Sequence, residues 1–211
     1  MAQKVERLIE DVKVEQQNLR KKELQLLQEQ INPHFLYNTL DTIMWLAIDH
    51  QDDKVVEMVA ALSGFFRTSL SHGEDKISIR EELEHVENYL KIQQLRYGDI
   101  MEYSIDVPDE IKKNDIVKIT LQPLVENAVK YGFSEIYEGG YIRIRITEEN
   151  DVLVLSVYNT GMPMNKDMVE KINGLTHLPI SQIKEAFPDK KHGYGVFNIL
   201  TRLRLKYGDK I

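Results

Sequence analysis

This sequence predicts an α+β fold, with helices in its first half and a mixed sheet in its second. Up to about residue 98 the apolar residues recur every three or four positions, as in Leu36, Leu40, Ile43, Met44 and Ala47, then Val55, Val59, Leu62 and Phe66. That spacing gives a helix one buried face. From residue 101 the period drops to two. Met101, Tyr103, Ile105 and Val107 alternate with Glu102, Ser104 and Asp106, as in a half-buried strand. A boundary near residue 98 follows, with a helical domain before it and an α/β sandwich after it.

Composition narrows the classes of function. The 211 residues suffice for one large or two small domains, and 42% hydrophobic with 29% charged is an ordinary soluble balance. A net charge of −7, with no Lys/Arg run longer than Arg20-Lys21-Lys22, argues against a nucleic-acid partner. The chain has no cysteine, so thiol catalysis, disulfides and Cys-based zinc sites are excluded. No apolar run approaches the ~20 residues of a spanning helix, and residues 1–7 lack a signal-peptide core.

Residues 1–31 hold neither glycine nor proline, and Val5, Val12, Leu19 and Leu26 repeat at heptad spacing. The companion row of Leu8, Glu15, Lys22 and Glu29 is apolar only at its first member. The stretch fits a solvated amphipathic helix or a linker helix that carries an upstream signal. Asn32-Pro33 then interrupts the pattern. Either Asn32 caps a new helix with proline at its first position, or one helix runs through with a kink. Both place His34 beside a backbone irregularity. A second helix ends near His72-Gly73, and a third runs from Ser78 through Leu83, Val86 and Leu90 to Gly98. Packed antiparallel, residues 32–98 make a dimerisable helical domain.

Pro108 closes the first strand, and residues 115–132 read as a helix. Ile142, Ile144 and Ile146 alternate with Arg143 and Arg145, residues 152–157 are a second apolar run, and Glu149-Asn150 makes the hairpin turn between them. Residues 161–193, with glycines, prolines and little periodicity, predict a mobile loop with short helices. Residues 194–207 are helical again.

Four stretches carry chemistry. In Gln30-Ile-Asn-Pro-His-Phe-Leu-Tyr-Asn-Thr-Leu40, Asn38 lies one helical turn beyond His34 on the same face. A lone histidine is more often structural than reactive, so its context decides. The Asn38 amide would orient an incoming phosphate or a hydrolytic water. In Leu121-Gln-Pro-Leu-Val-Glu-Asn-Ala-Val-Lys-Tyr-Gly132, Lys130 and Tyr131 follow Asn127 at three and four residues and share its face, beside Glu126. An amide oxygen can ligate Mg²⁺, and an ammonium can meet a phosphate. In Val157-Tyr-Asn-Thr-Gly-Met-Pro-Met164, Asn159 can accept a hydrogen bond and Gly161 lets the backbone approach a ligand. In His192-Gly-Tyr-Gly-Val-Phe-Asn198, Gly193 and Gly195 lead into a helix whose N-terminal N–H groups suit a phosphate.

The first stretch resembles the phosphoacceptor box of LytS-type sensor histidine kinases. Leu62-Ser63, Arg67, Glu82, Tyr89-Leu90, Gln93 and Arg96 fit that family's helical domain. The second is similar to the N box of the GHKL (Bergerat) ATPases. The last, continued by Arg202 and Leu203, is similar to their second glycine box. All four occur in family order between residues 30 and 208. The resemblance implies that His34 accepts phosphate, that residues 32–98 dimerise, and that residues 99–211 form a Bergerat-type ATP-binding domain. It implies ATP and Mg²⁺ as cofactors, with Asn127 on the metal and Lys130 and Tyr131 on phosphate or ribose. Glu126 is then the nearest acidic candidate for a base. Asn159 and Gly161 would meet the adenine, Gly193, Gly195 and Asn198 would complete the ATP site, and residues 165–192 would be the lid, with Lys190, Lys191 and His192 at its end.

The implied partners are a second copy of the chain and a response-regulator receiver domain. The implied setting is the cytoplasmic portion of a membrane-anchored sensor whose anchor lies outside this chain. Three residues depart from the pattern. Phe35 replaces the acidic residue that many other histidine kinases carry after the histidine, Asn159 replaces an aspartate, and Pro163 replaces a glycine. The family also usually continues past Tyr207-Gly208 into a final strand, so the sheet is expected to lack it. These departures motivate an alternative, a degenerate dimeric scaffold that binds nucleotide without phosphorylating itself.

Overall fold

Helix α1 (Pro33–Ile48) carries His34 in its first turn and Asn38 in its second. It belongs to the computed structural model of the chain, which describes residues 33–70, 76–133, 138–175, 178 and 194–208. The expected linker helix, the Asn32 cap or kink, Gly193 and the Lys190–His192 end of the lid lie outside these residues. Within α1 the Thr39 and Thr42 hydroxyls donate to the Phe35 and Asn38 carbonyls at 2.8 and 2.7 Å, the local bond by which threonine is accommodated inside a helix. The chain divides into two compact units, residues 1–50 and 51–211.

The second unit begins with α2 (Asp52–Leu70), whose first turn holds Asp52 and Asp53, the sign the helix dipole favours there. It packs along α3 (Ile79–Tyr97), closely enough that a Cβ at Gly64 would lie 2.6 Å from the Asn88 amide. A reciprocal capping box starts α3. The Ser78 hydroxyl accepts from the Glu81 N–H at 3.2 Å, and the Glu81 carboxylate accepts from the Ser78 N–H at 2.8 Å. Strand β1 (Lys76–Ser78) runs into that cap and pairs antiparallel with β3 (Asp115–Val117). Here the expected helix over 115–132 is corrected. Residues 115–117 are a strand, and the helix α4 occupies only Gln122–Gly132. Ile116 and Val117 are β-branched and buried in this pairing, which a helical period does not distinguish.

The larger sheet has the order β2-β4-β5. Strand β2 (Met101–Asp106) lies parallel to β4 (Gly140–Glu149), with Tyr103 opposite Ile142 and Ile105 opposite Ile144. The crossover between them contains β3 and α4, as a parallel pair requires. Strand β5 (Val152–Asn159) returns antiparallel to β4, Glu149 facing Val152. The turn is therefore Asn150-Asp151, one residue later than expected. Both have positive φ, 53° and 62°, the backbone of a two-residue type I′ turn, which Asn and Asp tolerate.

Burial follows the two-residue period. Ile142, Ile144 and Ile146 are fully buried, while Arg143 and Arg145 are exposed on the opposite face. Helix α4 covers the buried face at β4 and β5 and also meets α3 and α6 (Tyr194–Tyr207). Leu175 at the end of α5 (Lys166–Leu175) packs with Phe197 of α6, joined by Met168, Ile172, Leu178 and Leu200. Among the described residues, no helix is long and apolar enough to cross a membrane.

The strand alternation sets unequal costs for neighbouring substitutions. Ile144→Ala should cost about 2–5 kcal/mol of stability, and Arg143→Ala no more than about 0.5 kcal/mol. Urea unfolding of the two variants checks this, and equal losses would mean the buried face is misassigned.

Candidate functional site

Helix α4 begins without a capping side chain of its own. Leu121 occupies the cap position and a proline lies in the first turn, so no cap side chain receives the leading N–H groups. Glu82 of α3 does so instead. Its Oε1 accepts from the Leu121 N–H and its Oε2 from the Ile119 N–H, both at 2.8 Å. The N–H groups of residues 119–122 all favour the charged carboxylate, while complete burial pushes the carboxyl above the ordinary Glu range.

Ile119 itself has φ of 56°. A β-branched residue in the left-handed region is strained by about 1–3 kcal/mol and persists only where its surroundings hold it. Arg202 of α6 holds the other side, donating through its guanidinium to the Ile119 carbonyl at 3.2 Å and to the Lys118 carbonyl. The Lys118 ammonium reaches the Ser69 carbonyl near the end of α2 at 3.3 Å.

A second buried polar contact joins α3 to α4. The His85 ring Nε2–H donates to Gln122 Oε1, and Gln122 Nε2 donates to Glu126 Oε1 at 2.7 Å. The imidazole stacks on Phe65, ring centroids 4.6 Å apart. Burial pushes the His85 pKa down, with the Gln122 bond opposing. Burial also raises the Glu126 carboxyl, with Gln122 and Lys130 opposing. Glu126 thus bonds into the contact with α3.

Asn127, one residue on, meets α6. A Cβ placed on Gly195 would lie 3.3 Å from the Pro123 Cβ and 3.7 Å from Asn127 Nδ2. At the other end of α4, a Cβ on Gly132 would lie 2.5 Å from Asn159 Nδ2, so only glycine lets that amide approach. Asn159 Nδ2 donates to the Thr160 carbonyl at 2.9 Å, which leaves Oδ1 as the atom able to take an adenine N–H. Gly161 has φ of 106°, a conformation that favours glycine. Lys130 is exposed, its ammonium 5.0 Å from the Tyr131 ring centre, and Asn198 is half-buried on α6. The structure therefore brings Asn127 together with Gly195 and places Asn159 against Gly132. His34 and Asn38 lie in the other compact unit.

In the sequence His85 and Gln122 carry no motif role, and Glu82 and Arg202 stand out only as family matches. The signal for Glu82 and His85 is a polar row on α3, Glu82, His85, Tyr89 and Gln93, at helical spacing.

The histidine kinase family model matches residues 22–101. The chain is related to the sensor histidine kinases. It is 32% identical over 209 residues to Sensor histidine kinase YesM of Bacillus subtilis (strain 168), covering 99% of this chain and 33% of that one. Sensor histidine kinase BtsS of Escherichia coli (strain K12) is 33% identical over 180 residues, 84% of this chain and 31% of the relative. Sensor protein LytS of Streptococcus mutans serotype c is 35% identical over 188 residues, 88% of this chain and 30% of the relative. The chain spans about a third of the length of the curated relatives it matches.

In this sensor-kinase relative the buried histidine has a pH consequence. A histidine with a depressed folded pKa stabilises above its unfolded value of about 6.5 and loses that contribution as pH falls through the folded pKa. The raised Glu82 and Glu126 act oppositely, stabilising below about 4.5 and losing that contribution as pH rises through their folded values. His85→Gln should therefore lose less stability than the wild type between pH 7.5 and 5.5. Urea midpoints at the two pH values test this; identical shifts would remove His85 as the titrating group.

Proposed function

We propose that this chain is the catalytic core of a two-component sensor histidine kinase, with ATP as phosphoryl donor and His34 as acceptor. One observation carries the reading. Asn127 of α4 lies beside Gly195 of α6, and Asn159 lies against Gly132 at the other end of α4, so residues far apart in sequence meet along one helix. The three-stranded sheet with α4 on its covered face supports a Bergerat-type arrangement for residues 99–211.

On this reading residues 1–31 form the linker and 32–98 the dimerising, phosphoacceptor-bearing domain. The helix bearing His34 falls in a separate compact unit, which suits an acceptor that must approach its donor and leave it. Leu40, Met44 and Ile48 form a stripe at four-residue spacing on α1, with Trp45 beside it, and all four are exposed. That stripe supports a homodimer. Attachment to a membrane would come through segments outside this chain.

The residues present fit Mg·ATP. Asn127 offers a neutral amide oxygen, a hard donor suited to Mg²⁺ that arrives with phosphate. Lys130 supplies a cationic end and Tyr131 a hydroxyl at the exposed edge of α4. The start of α6, with Gly195 ahead of Asn198, would offer backbone N–H groups to phosphate. Asn159 Oδ1 and the backbone at Gly161 receive the adenine.

Bound there, Mg·ATP supplies an electrophilic γ-phosphoryl group with its charge neutralised. A neutral His34 ring nitrogen forms the N–P bond as the bond to the ADP oxygen breaks. The displaced ring proton would pass to a base, for which Glu126, next to Asn127 on α4, is the nearest acidic candidate. Asn38 orients the phosphoryl group or the water that later removes it. Positioning and charge neutralisation supply most of the acceleration. The phosphoryl group then moves to an aspartate of a receiver domain.

With γ-labelled Mg·ATP the chain should acquire label that is lost in acid and retained in alkali, and His34→Gln should acquire none. Asn127→Asp should label roughly two orders of magnitude more slowly while folded. Nucleotide binding without label would favour the scaffold reading, to which the uncharged Asn159 points. Trp45→Glu with Met44→Glu should convert a dimer to a monomer in light scattering, and a dimer that survives would move the interface off α1.

A further inference from the structure

We infer that Glu82 of α3 and Arg202 of α6 are positioning residues for the nucleotide helix. Together they hold the strained turn at Ile119 and so fix where α4 begins and which way Asn127 faces. The inference rests on the reading above that Asn127 holds the metal of Mg·ATP.

The backbone of Ile119 is gripped on both sides. Its N–H donates to Glu82 and its C=O accepts from Arg202. The same Glu82 carboxylate takes the Leu121 N–H, so one rigid group spans the residues that enter the helix. Residues of an α-helix are about 100° apart around its axis, so a start slipped by a single residue turns Asn127 away from Gly195. The left-handed φ of Ile119 is unfavourable by itself. Without the two side chains the turn has reason to relax, and α4 with it.

Helix α6 completes the fixture. Gly195 and Arg202 are seven residues apart, two turns on one face. The first lies beside Asn127 and the second grips the turn that precedes α4. Helix α3 likewise holds this region twice, through Glu82 at residues 119 and 121 ahead of α4 and through His85 at Gln122 in its first turn. Glu82 is fully buried, and both side chains bond to backbone ahead of α4.

The test separates positioning from general loosening by reading the metal contribution alone. Dissociation constants for ATP are measured with Mg²⁺ and with chelator, on the wild type, Glu82→Gln, Arg202→Met and Ile144→Val. Glu82→Gln preserves shape but replaces one acceptor by an N–H donor facing a backbone N–H. Arg202→Met removes the grip on the carbonyls and leaves Glu82 in place, so it decides the matter if Glu82→Gln does not fold. Ile144→Val is a core-destabilising control away from the turn. The gain in affinity from Mg²⁺ should fall about tenfold in Glu82→Gln and Arg202→Met, and should stay at the wild-type value in Ile144→Val. Folded Glu82→Gln or Arg202→Met protein that keeps the full Mg²⁺ gain overturns the inference alone. A wild type with no Mg²⁺ gain overturns the role of Asn127 and the inference with it.

Discussion

A carboxylate sealed from water costs several kcal/mol unless donors surround it, and a helix capped by leucine has no cap side chain to receive its leading N–H groups. Each defect in this chain is the remedy for the other. Glu82, fully buried on α3, receives N–H groups at the head of α4, and α4 gains the cap its own sequence lacks. The anion also lies at the positive end of the helix dipole. Strain at Ile119, the reach of Arg202 across from α6 and the bond from His85 to Gln122 are all organised around that contact.

Helix α4 then serves several neighbours by angle. Val125, Ala128 and Val129 are buried toward the core. Gln122 and Glu126, one turn apart, face the α3 contact. Pro123 and Asn127, also one turn apart, meet Gly195. Gly132 ends the helix with room for the Asn159 amide. The spacing of four that reads as amphipathicity is here a division of partners, one pair per neighbouring helix.

The periodicities made most of the fold legible. Helices at 52–70, 79–97 and 194–207 and strands at 101–106, 140–149 and 152–159 stand where the apolar repeat changes. Strand β1 was too short for any period to register, and its partner β3 was absorbed into the helix that follows it. The hairpin turn fell one residue late because Asn150-Asp151 takes positive φ in place of the Glu149-Asn150 pair. The motif residues were visible as types at fixed intervals, but which of them would meet was not. Glu82, His85, Tyr89 and Gln93 look from sequence like a wetted stripe, yet all four are buried. What buries them comes from α2 and from α4, more than 30 positions later in the latter case, and no local pattern announces it.

The parallel pairing of β2 with β4 also bears on how the sheet assembles. Its two strands are separated by residues 107–139, including a strand and a helix, whereas β4 and β5 are joined by two residues. Closing a long segment loses chain entropy before any contact rewards it. Pairing β4 with β5 therefore costs the least chain entropy in this sheet, and pairing β2 with β4 requires the crossover to close. Since that crossover includes the turn held by Glu82, its closure and the seating of α4 are one step, and a chain caught before it would show β2 as an unpaired edge.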